Sequence, residues 1–98
     1  FLGDAIDANE ALRLNIVNQV VAPQELETVT LQLAERLRTA PPIAIAAAKH
    51  AVYMSGGADL DEMLRYETEA QLRCFESDDG HEGVHAFFEK RDPHFTGH

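Results

Sequence analysis

The feature that most constrains this chain is a helix-start signal written three times along it. Asp7-Ala-Asn-Glu10, Asp59-Leu-Asp-Glu62 and Asp79-Gly-His-Glu82 each set an aspartate three residues ahead of a glutamate. At a helix start such an aspartate accepts an otherwise orphaned backbone N–H, and the glutamate reaches back to the capping residue. Prolines and glycines complete the punctuation. Pro23 and Pro42 stand where a first helical turn tolerates a missing N–H, and Gly56-Gly57 interrupts the chain between two helical runs.

Between these marks the apolar residues recur at helical spacing. A short helix opens at Asp7 and runs through Leu14, with Ala8, Ala11 and Leu12 on one side and Asn15 as its left-handed stop. Val17–Val21 reads as a brief extended segment. A second helix, Pro23 to about Thr39, aligns Leu26, Val29, Leu33 and Leu37. A third, Ile43 to Met54, is rich in alanine and apolar on nearly every face, so it is expected to be buried on most sides. The fourth, Leu60 to about Glu76, turns Leu60, Met63, Leu64, Ala70, Cys74 and Phe75 toward a core. The last, about Gly80 to Lys90, shows Val84, Phe87 and Phe88, and an irregular tail follows. The expected fold class is all-α, with four to five helices and one short extended segment.

Ninety-eight residues allow one modest core, and a chain of that size buries only ~60–65% of its unfolded surface. A formal net charge of −9 disfavours nucleic acid and an anionic membrane surface as partners. Basic residues adjoin only at Lys90-Arg91. No run approaches the ~20 apolar residues of a membrane span; no signal peptide stands at Phe1, and a targeting segment upstream of it stays open. The single cysteine, Cys74, excludes an internal disulfide and suits a reducing compartment.

Few residues suggest chemistry unaided. His81 and His85 have the i, i+4 spacing of two metal ligands, beside Asp78, Asp79 and Glu82, but nothing supplies a buried third ligand, so no metal site is expected. Cys74 lies on the apolar side of its helix, as a packed thiol does. Glu67 falls on that same stripe, and needs Arg65, Arg73 or Arg36 as a partner, or a subunit boundary. His50, His94 and His98 are expected at the surface. On these grounds alone, a stand-alone helical interaction module stands as one reading.

Two blocks carry a resemblance. Ile6-Asp-Ala-Asn-Glu-Ala-Leu-Arg-Leu-Asn-Ile-Val-Asn-Gln-Val-Val21 is the first. The second runs from Phe75-Glu-Ser-Asp-Asp-Gly-His-Glu-Gly83 into Phe87-Phe-Glu-Lys-Arg-Asp-Pro-His-Phe95. In this order they resemble the crotonase superfamily, the enoyl-CoA hydratase/isomerase family, over essentially the whole chain. His81 and His85 occupy positions that vary in that family. The resemblance implies that residues 1–22 are the exit from a catalytic core, and 23–98 a C-terminal helical region that covers acyl-CoA and builds an oligomer. A chain opening on Phe1 without Met then reads as a fragment.

The same resemblance places the catalytic glutamates and the paired N–H donors for the thioester oxygen upstream, so no catalytic residue is expected here. It puts Lys90 and Phe87 near the phosphates and adenine of coenzyme A, where an ammonium attracts phosphate and an aromatic face meets a purine. It further implies self-association as a trimer or hexamer, an acyl-CoA ligand, and no cofactor beyond the coenzyme A thioester itself. The implied location is cytoplasmic, or mitochondrial or peroxisomal in a eukaryote.

Overall fold

The computed structural model describes residues 2–98. Five helices follow in order: α1 (Ala8–Arg13), α2 (Leu26–Arg38), α3 (Pro42–Met54), α4 (Leu60–Glu76) and α5 (Asp78–Glu89), with a 3-10 turn at Pro23–Glu25 leading into α2. Among the described residues there is no strand, and Val17–Val21 joins α1 to Pro23 without helix or ladder. None of the helices is long and apolar enough to cross a membrane. The chain divides into two compact units, one ending at Ala34 and the other spanning Glu35–His98.

In the first unit the cap signal acts as local chemistry dictates. Asp7 Oδ1 accepts the Glu10 N–H at 2.7 Å, and Arg13 returns to Glu10 through two guanidinium nitrogens. Asn15 stops the helix at φ 57°, and the Ile16 N–H reaches the Ala11 carbonyl at 2.9 Å, closing the turn in the Schellman manner.

In the second unit α3 packs on α4 and α4 on α5. Alanines let the first pair approach, and the Tyr66 hydroxyl donates to the Ala47 carbonyl at 3.0 Å, with the His50 ring tilted against Tyr66. Asp59 and Glu62 form a full capping box at the start of α4. Between α4 and α5 a single residue turns the chain. Ser77 Oγ accepts the Gly80 N–H at 3.0 Å and donates to the Cys74 carbonyl at 2.7 Å, so one hydroxyl closes α4 and caps α5. The close turn leaves no room at position 80, where a Cβ would overlap the Cys74 carbonyl oxygen and stand 3.0 Å from that of Phe75.

Two expectations need correction. The third helix start lies at Ser77 rather than Asp79, because the Asp79 carboxylate is engaged by residues of the tail. Burial is also far lower than the apolar periodicity suggests. Among the described residues the buried ones are Ala70, Ala86 and Asp79, and none belongs to α3. Serial packing covers one stripe of α3, in which Ile43, Ala44, Ala47, Ala51 and Met54 are half-buried, while Val52 and Tyr53 stand exposed. On α4 the side chains of Leu60, Leu64 and Phe75 are likewise uncovered.

Candidate functional site at the end of the last helix

Helix α5 ends on a residue with an unusual backbone. Lys90 adopts φ 56° and ψ 41°, the left-handed conformation that a helix stop commonly gives to glycine. Its N–H meets the Phe87 carbonyl at 3.3 Å and the Arg91 N–H meets that of Ala86 at 3.1 Å, which occupies carbonyls a helix end leaves open. The stop projects two aromatic rings. Phe87 and Phe88 are 79% and 76% exposed and meet edge to face, with centroids 5.7 Å apart.

Those rings flank an apolar groove of about 550 Å³, walled by Ile43 and Ala44 of α3, Cys74 of α4, Val84 of α5 and Phe95 of the tail. The half-buried Cys74 thiol is part of this wall.

Charge around the groove is sorted by hydrogen bonding. Arg91 grips Glu82 with two nitrogens, at 2.5 and 2.7 Å, and reaches Glu89 with its Nε at 2.6 Å. The Arg91 guanidinium and the His94 N–H together hold the Glu82 carboxyl down to about 2, and the same carboxylates raise Arg91 further above its ordinary value. Lys90 forms no ion pair among the described residues, so at this end of α5 its ammonium is the cation left for a ligand.

Asp79 performs the other fastening. Only 4% exposed, it accepts the Thr96 N–H at 2.6 Å and the Gly97 N–H at 2.9 Å, while its own N–H donates to the His98 carbonyl. Gly97 sits at φ 87°, against the Pro42 ring, where a side chain would be strained.

Lys90 and Phe87 therefore lie three residues apart at one end of α5, Phe87 lining the apolar groove and Lys90 on the left-handed stop that follows. An exposed cation beside exposed aromatic rings suits an anionic ligand with a flat or apolar body. His81 and His85 are exposed on α5, and among the described residues no group of three or more His, Cys, Asp or Glu is placed to hold a metal ion. Glu67 is exposed and forms no ion pair with Arg65, Arg73 or Arg36 among the described residues. The residues that sequence reasoning missed are Asp79 and Glu82 as anchors of the tail. The one local signal was their spacing, three apart on a helix with Arg91 to follow.

Comparison with known proteins identifies the family. The family model described as enoyl-CoA hydratase/isomerase matches residues 1–98. A short-chain-enoyl-CoA hydratase of Clostridium acetobutylicum is 36% identical over 93% of this chain and 35% of its own length. A methylmalonyl-CoA decarboxylase of Escherichia coli is 38% identical over all of this chain and 38% of its own. The crystal structure of an enoyl-CoA hydratase from Mycobacterium tuberculosis superposes with a TM-score of 0.88 at 32% identity, over 98% of this chain and 38% of that one. The chain thus spans little more than a third of the length of the relatives it matches.

Proposed function

We propose a function that starts from membership: the chain belongs to the enoyl-CoA hydratase/isomerase family, and its residues serve an enzyme of that family as the helical cover of an acyl-CoA site. The parent reaction is addition of water to a 2-enoyl-CoA through an enolate held by paired N–H donors. The catalytic glutamates and those donors belong to a part upstream of Phe1, residues 1–22 are the exit from it, and these 98 residues alone are inert. Residues 23–98 close over the ligand and join subunits, as a trimer or a dimer of trimers.

The observation that carries this reading is the uncovered apolar surface. Leu60, Leu64, Phe75, Phe87 and Phe88 stand exposed, the three phenylalanines lining one groove, and large apolar side chains left bare in such number mark a surface made for further protein or ligand. The left-handed Lys90 supports its role at the coenzyme A phosphates. Glycine satisfies that turn with less strain, so the side chain there answers to something other than the turn.

The reading is tested by titrating coenzyme A into the intact protein and its Lys90→Ala variant. Affinity is expected to fall on the order of tenfold, as one lost charge-assisted phosphate contact implies. Unchanged affinity removes Lys90 from the site, and absence of binding by the unaltered protein favours a helical interaction module whose exposed face meets a protein partner.

A further inference from the structure

We propose that Asp79 and Glu82 are positioning residues, which fasten the C-terminal tail along α5 and thereby set Lys90 in place at the helix end and Phe95 in the wall of the groove. The inference rests on the reading of Lys90 given above.

A carboxylate is rarely as enclosed as Asp79 unless donors replace its lost water. Here the replacement comes entirely from the tail: the Thr96 and Gly97 N–H groups and the Thr96 hydroxyl, the last at 3.4 Å. The Asp79 N–H, one of the free donors of the first helical turn, closes the arrangement on the His98 carbonyl. One turn along, Glu82 takes the Arg91 guanidinium and, at 2.7 Å, the His94 N–H. The tail is thus fixed at residues 91, 94, 96 and 97 by two side chains of one helix.

What lies between the fastenings is the point. Phe95 falls between His94 and Thr96, and its ring passes over Gly83, 3.7 Å from where a Cβ would stand there. The same ring lines the groove with Phe87. Lys90 immediately precedes Arg91, so the grip on Arg91 fixes the far side of the left-handed turn that aims the ammonium. Neither carboxylate need touch the ligand. Each acts through a residue that does.

The test uses the intact protein with coenzyme A as probe. Asp79→Asn and Glu82→Gln keep the side-chain shape and remove the charge, and Asp78→Asn, an exposed neighbour with no bond to the tail, is the control. Both variants are expected to speed amide exchange at Thr96, Gly97 and His94 and to weaken coenzyme A binding about fivefold to tenfold, with the control unchanged. In a Lys90→Ala background the further loss from Glu82→Gln is expected to be under twofold, and in a Phe95→Ala background so is that from Asp79→Asn, since each then has nothing left to position. Thr96→Pro, which deletes a donor from the tail side, gives the same result if Asp79→Asn folds poorly.

A loosened tail with unchanged affinity overturns the inference while leaving the Lys90 reading intact. Fully additive losses in the double variants overturn it too, as does a tail that stays protected in Asp79→Asn. If Lys90→Ala itself has no effect on affinity, Lys90 leaves the site and this inference falls with it.

Discussion

Lys90 holds a conformation that costs a side-chain-bearing residue about 1 kcal/mol relative to glycine. Backbone and side chain can therefore be separated by substitution. Lys90→Gly is expected to raise stability by up to about 1 kcal/mol in thermal unfolding while losing the same coenzyme A affinity as Lys90→Ala. Gly80 presents the opposite balance. Alanine there gains about 1 kcal/mol of helix propensity, but its Cβ meets the Cys74 carbonyl, which is backbone and cannot rotate aside. The clash wins, and Gly80→Ala is expected to destabilise by about 1–3 kcal/mol, read as a lower unfolding midpoint.

At the scale of elements, α5 and the tail act as one piece held by charge. The Glu82 carboxyl lies at about 2, well below its ordinary 4.5, because Arg91 and the His94 N–H favour its ionised form. A depressed acid contributes stability that is complete above its unfolded value and is lost as pH falls toward its folded one. Amide exchange at His94 is therefore expected to accelerate between about pH 4.5 and 2, and in Glu82→Gln to be fast across that window. Protection in the unaltered protein that ends well above pH 4.5 would contradict the pairing.

The same piece of structure shows where sequence reasoning reaches its limit. The caps at Asp7 and Asp59 were legible because donor and acceptor lie three residues apart, and the Asn15 stop because asparagine tolerates the left-handed region. The start of α5 was misplaced by two residues, since Asp79 bonds to Thr96 and Gly97, seventeen and eighteen positions away. No periodicity encodes that pairing. Lys90 and Phe87 were nameable only through a family resemblance to the Phe87-Phe-Glu-Lys-Arg91 run, and Lys90 as a helix stop ran against propensity. Burial was overestimated for a different reason. An apolar face announces that something covers it and is silent on whether the cover is the chain itself.

For the whole molecule the uncovered face is the governing fact. The chain shares its fold with enzymes nearly three times its length, and its own helices enclose little more than Ala70, Ala86 and the Asp79 carboxylate among the described residues. Large side chains such as Leu60, Leu64, Phe75, Phe87 and Phe88 are then surfaces awaiting a partner, in the proposed enzyme its catalytic part and neighbouring subunits. Sedimentation velocity of the purified 98 residues over a range of concentrations addresses this most directly. Concentration-dependent self-association is expected, as exposed leucines and phenylalanines find each other. A sharp, concentration-independent monomer with a cooperative unfolding transition would contradict it, and would return the chain to the standing of a self-sufficient helical module.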